Sequence, residues 1–85
     1  MTTLRNLTIL IMHTGKEVSV KQVDSEMTVD ELIVTLAAKI NLPSGVHGTL
    51  ENKNSRQQFL PEETLREAEI NSNDILIVNF ERTSG

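Results

Sequence analysis

The chain has 85 residues and a formal net charge of −4, from twelve acidic and eight basic side chains; it is 38% apolar, with Phe59 and Phe80 its only aromatic residues. This is enough for one domain with a small aliphatic core, and the acidic balance excludes nonspecific nucleic-acid binding, which needs clustered Lys and Arg. With no cysteine, the chain has no disulfide framework, no thiol nucleophile and no cysteine-ligated zinc.

Residues 1–6, Met1-Thr2-Thr3-Leu4-Arg5-Asn6, carry no basic-then-apolar leader and read as a flexible N-terminal segment ahead of a domain at 7–80. No apolar run approaches the ~20 residues that span a bilayer, so a cytoplasmic protein without membrane insertion is expected. Leu7-Thr8-Ile9-Leu10-Ile11-Met12 is apolar on both faces, which predicts a central strand. A turn at His13-Thr14-Gly15-Lys16 leads into a second strand, where Val18 and Val20 face one way and Glu17, Ser19 and Lys21 the other. Gln22-Val23 interrupts that alternation and marks a bulge.

The helix signal over 28–40 is the strongest in the chain. Thr28 and Glu31 have capping-box spacing, with Met27 and Leu32 placed as a hydrophobic staple. Val29, Leu32, Ile33, Leu36, Ala37 and Ile40 share one face, and Pro43 stops the helix. Beyond it, Thr49-Leu50-Glu51 reads as a short strand, 52–56 as a polar turn, and 57–60 as a return strand. Thr64 and Glu67 repeat the capping-box spacing and predict one short helical turn. Ile75-Leu76-Ile77-Val78 is a second doubly apolar strand, followed by a flexible tail at 81–85.

This order of parts resembles the ubiquitin-like β-grasp family. Thr14-Gly15-Lys16 is similar to the family's first turn, the spacing Val29, Leu32, Leu36 and Leu42-Pro43 to its helix and exit, and Thr64-Leu65 with Ile70 to its approach to the last strand. The resemblance implies an α+β fold: a mixed four- or five-stranded sheet packed on one long helix. Brevity and acidic loops look like the small bacterial members. Counted from Ile70, Gly85 falls where the family's conjugating glycine falls.

The implied function is a protein modifier, joined to targets through Gly85 by activating and conjugating enzymes that thread the tail Arg82-Thr83-Ser84. The alternatives are a non-covalent adaptor like the type VII secretion accessory proteins, with secretion components as partners, or a sulfur carrier. Ser84 departs from the diglycine ending of modifiers and carriers, and His13 and Glu51 depart from the family's apolar binding patch.

Chemistry within the chain is sparse. His13 and His47 lack metal-ligand spacing, and no nucleophile, base and oxyanion donors assemble, so neither an enzyme nor a cofactor is expected. If Leu76 and Val78 face the helix, Ile75 and Ile77 face outward, and the first strand adds either Ile9 and Ile11 or Leu10 and Met12. Ile9, Ile11, His13, Ile75 and Ile77 are taken as the partner-binding surface. Lys16, Lys21, Lys39 and Lys53 are candidate acceptor lysines.

Overall fold

The computed structural model describes residues 3–12, 14–42 and 46–82. The elements are β1 (Thr3–Ile11), β2 (Glu17–Asp24), α1 (Val29–Lys39), β3 (Val46–Asn52) and β4 (Ile75–Arg82), with the strands in the order β2-β1-β4-β3. β1 pairs antiparallel with β2 and parallel with β4, and β3 pairs antiparallel with β4. The two doubly apolar strands are therefore the central ones, as their sequences imply. The sheet has four strands among the described residues, and its helix is 11 residues long, shorter than the 28–40 signal.

Strand β1 starts at Thr3, so residues 3–6 are not a flexible lead-in. Leu4 is buried opposite Val23, while Arg5 accepts from Asn73 N at 2.9 Å and donates its own N–H to Ser72 Oγ at 2.9 Å. The last strand likewise continues through Glu81 and Arg82, which pair with His47 and Val46. Residues 83–85 lie outside the described residues.

The interrupted alternation in β2 has a partner in β1. Val20 and Val23 face the core with Lys21 and Gln22 exposed between them; Leu7 and Leu4 do the same around Arg5 and Asn6. Asn6 absorbs the step with φ 57°. Because both strands step at the same place, Leu7 still faces Val20 and Leu4 still faces Val23, and no register slip moves apolar residues into water.

Both ends of α1 are closed, the first as the sequence predicts; Pro43 lies outside the described residues. Glu31 N donates to Thr28 Oγ1 at 3.1 Å, and Thr28 N donates to Glu31 Oε1 at 3.3 Å. The next orphan donors, Val29 N and Asp30 N, reach the carbonyls of Glu63 at 2.8 Å and Pro61 at 3.0 Å, so a distant loop finishes the cap. At the far end Asn41, φ 57°, donates to Ala38 O, and Leu42 donates to Ala37 O. This is a Schellman closure with asparagine in place of the usual glycine.

The segment after β3 does not form a full return strand. Phe59 N donates to Leu50 O at 2.9 Å, Asn52 N donates to Gln57 O at 3.0 Å, and Glu51 bridges Gln58. These contacts pin 57–59 along the outer edge of β3 and bury Phe59. The second capping box forms around one turn: Glu67 N donates to Thr64 Oγ1 and Thr64 N to Glu67 Oε1, both at 3.0 Å. The Thr64 backbone N–H, and then its hydroxyl, hold the Glu67 carboxyl below the usual carboxylate range. The turn closes on Glu69, which donates to Arg66 O, and Ile70, which donates to Leu65 O; Leu65 and Ile70 are both buried.

Glu69 sits at φ 61°, a region that costs a residue with a Cβ roughly 1–2 kcal/mol. Glu69→Gly relieves this, offset by glycine's greater entropy in the unfolded chain, and is expected to stabilise by about 0.5–1 kcal/mol. A higher urea midpoint checks this; an unchanged or lower one refutes it.

The core contains Leu7, Ile9, Leu32, Leu36, Leu50, Leu65 and Leu76, each essentially fully buried between sheet, helix and the 59–70 segment. The helix packs most closely on β3. There Gly48 makes room, since a Cβ at that position would lie 2.8 Å from Ile33 Cγ2. On the other side, between α1 and β2, a hollow of about 260 Å³ is lined by Val20, Val23, Met27, Leu32, Leu36 and Lys39, among others.

Candidate interaction surface

The hairpin register decides which residues face away from the helix. Val18 and Val20 point to the core; Ile9 and Leu7 stand opposite them and are completely buried. Ile11 follows at 4% exposure. Ile9 and Ile11 are therefore core residues and do not belong to the partner-binding surface. The outward residues of β1 are Thr8 and Leu10, each half-buried, with Met12 just past its end and 36% exposed. His13 lies outside the described residues.

Strand β4 behaves as predicted. Leu76 and Val78 are fully buried, and Ile75 and Ile77 are half-buried on the opposite face. Pairing places Thr8 beside Ile75, and Leu10 beside Ile77. One row across the sheet reads Glu17, Leu10, Ile77, Glu51. Leu10, Met12, Ile75 and Ile77 make an apolar strip on the two central strands, with polar residues on both outer strands. Glu51 is held by Arg56 at 2.9 Å. Beyond the strip, Asn79 pairs with Thr49, and exposed Glu81 with exposed His47.

Leu10 and Met12, the other pair that the first apolar run offers, take the place of Ile9 and Ile11 on this surface. The hairpin register selects them: pairing of 11 with 16 puts 9 opposite 18 and 7 opposite 20, so positions 7, 9 and 11 share the valine face.

Lys16, Lys21, Lys39 and Lys53 are all exposed and spread over the turn, β2, the end of α1 and the exit of β3. Gly85, Ser84 and Thr83 lie outside the described residues, and Arg82 is the last residue of β4. Among the described residues, no group of three or more His, Asp or Glu side chains could hold a metal ion. A second hollow, of about 470 Å³, is lined by Leu4, Ser25, Arg66, Glu69, Ile70 and Asn71. Arg66 also pairs with Glu26 at 3.2 Å, and no histidine among the described residues lines the hollow that could activate Ser25.

Similar folds occur in known structures. The UBL domain of yeast Ddi1 is similar with a TM-score of 0.67 and 20% identity, over 95% of this chain and 93% of that one. The ubiquitin of Caldiarchaeum subterraneum is similar with a TM-score of 0.74 and 17% identity, over 95% and 98%. The fold is ubiquitin-like. A ubiquitin-like arrangement also occurs in a chain of the toluene 4-monooxygenase HD complex with the inhibitor 4-bromobenzoate; it matches with a TM-score of 0.76 and 18% identity, over 94% of this chain and 100% of that one. At these identities the likeness extends to the fold and no further. Neither a protein-family model nor a curated protein matches the chain. No helix among the described residues is long and apolar enough to cross a membrane.

Proposed function

We propose that the protein is a non-catalytic ubiquitin-like docking module of the cytoplasm, which binds a larger protein through the outward face of its sheet. The observation that carries this is the strip of Leu10, Met12, Ile75 and Ile77, an apolar surface on the two central strands. Apolar side chains held open on a sheet gain by being covered, and the polar residues around them supply a rim. The toluene 4-monooxygenase chain, itself part of a complex, supports reading a chain of this size as a component rather than a free catalyst. Conjugation through Gly85 is the competing reading and rests on the sequence resemblance alone.

The test is recovery of binding partners by tagged protein from its native source, with quantification by mass spectrometry. Leu10→Ala with Ile77→Ala is expected to lower recovery at least about ten-fold while circular dichroism stays native. Removing residues 83–85 is expected to change nothing. Undiminished recovery by the double variant rejects the docking face. Adducts that form with ATP and vanish without residues 83–85 support the modifier instead.

A further inference from the structure

We infer that two copies of this chain associate through their β2 strands, extending the sheet across a two-fold axis at Ser19. The sheet has two outer edges, and they are not alike. The edge of β3 is partly occupied by residues 57–59 of the same chain. Among the described residues, the edge of β2 has no neighbouring strand.

The hydrogen-bonding direction of β2 follows from its partner. Ile11 N donates to Lys16 O, whereas Thr8 N and Met12 N donate toward β4, to Asp74 O and Val78 O. In β1, positions 7, 9 and 11 therefore serve β2 and positions 8, 10 and 12 serve β4, up to the step at Asn6. Lys16, just before β2, and residues 18 and 20 of β2 stand opposite 11, 9 and 7 and are engaged with β1. By alternation, the backbone groups of Glu17 and Ser19, and the N–H of Lys21, point to the open edge, ahead of the step at Lys21-Gln22.

The sequence of that edge, Glu17-Val18-Ser19-Val20-Lys21, is complementary to itself when run antiparallel. Centred on Ser19, it sets Glu17 against Lys21 of the second copy, Lys21 against its Glu17, and each Ser19 against the other. These are the positions whose backbone groups face out ahead of the step, so one register satisfies both charge and about four main-chain hydrogen bonds. The Val18–Val20 pairs fall on the helix side, next to the hollow that α1 leaves by packing toward β3. Glu17 and Lys21 are both exposed, and the ion pairs of the described residues, Glu51–Arg56 and Glu26–Arg66, leave both available. Lysine on an edge strand ordinarily discourages pairing, but in this register it meets a glutamate. The interface is isologous, as a two-fold dimer requires.

The test is sedimentation equilibrium of the full chain up to millimolar concentration, where the mass is expected to rise from 9.5 kDa toward twice that value. Lys21→Glu alone and Glu17→Lys alone each turn two attractive pairs repulsive and are expected to weaken association about ten-fold or more. The combined swap, Glu17→Lys with Lys21→Glu, is expected to restore it, an outcome that a merely structural role for either residue does not produce. Slower amide exchange at residues 17, 19 and 21 with rising concentration locates the contact independently. A monomer at every concentration, association indifferent to the single reversals, or a swap that fails to recover it overturns the inference.

Discussion

Leu36→Ala is expected to destabilise the fold by about 2–5 kcal/mol, the range for emptying a well-packed leucine site. Leu36 is fully buried on the inner face of α1, with Leu32 and Ile33 one turn before it and sheet residues beneath. Truncation removes apolar area and leaves a cavity that sheet and helix, each tied by its own hydrogen bonds, cannot collapse to fill. Total stability for a domain of this kind is only about 5–15 kcal/mol, so a large share is lost and the urea midpoint falls accordingly. Val34, two residues earlier and 61% exposed, supplies the control. Val34→Ala trades a β-branched residue for the best helix former and is expected to be neutral or slightly stabilising. Equal effects at the two positions would refute the packing assigned to this helix.

Gly48→Ala is expected to cost about 1–3 kcal/mol, although it adds a single methyl group in a strand that favours side chains. The added carbon would lie 2.8 Å from Ile33 Cγ2 and 3.1 Å from Phe80 Cδ1. Ile33 cannot swing away, because a β-branched side chain in a helix has one strongly preferred χ1. The strain must therefore be met by lifting α1 from β3. A double-mutant cycle with Ile33→Ala isolates the clash: most of the cost of Gly48→Ala should vanish once Cγ2 is gone. A cost that persists in that background would place its origin elsewhere.

Much of the fold was legible from local chemistry. The capping box at Thr28 and Glu31, the helix face from Val29 to Leu36, the turn around Thr14 and Gly15 and the central placement of two doubly apolar strands all depend on neighbours within a few residues. Physical preference at that range is written directly in residue type and spacing. The limits of the strands were less legible. Arg5 is held by Ser72 and Asn73, and Glu81 by pairing with His47, so strand ends at both termini depend on residues far away in sequence. The segment 57–59 has strand composition, yet it earns only a bridge because Phe59 turns into the core.

The candidate surface divides along the same line. The sequence by itself determined that Ile75 and Ile77 oppose Leu76 and Val78, because side chains alternate along any strand. Whether β1 added Ile9 and Ile11 or Leu10 and Met12 depended on which parity faced the helix, and a run apolar on both faces carries no such mark. Tertiary structure settled it: the hairpin register puts Ile9 opposite Val18 and Leu7 opposite Val20, and burying those valines sends Leu10 outward beside Ile77. The approach of α1 to Gly48, the hollow beside β2 and the open edge of that strand were also decided there, since each arises from how whole elements pack rather than from any one segment's preference.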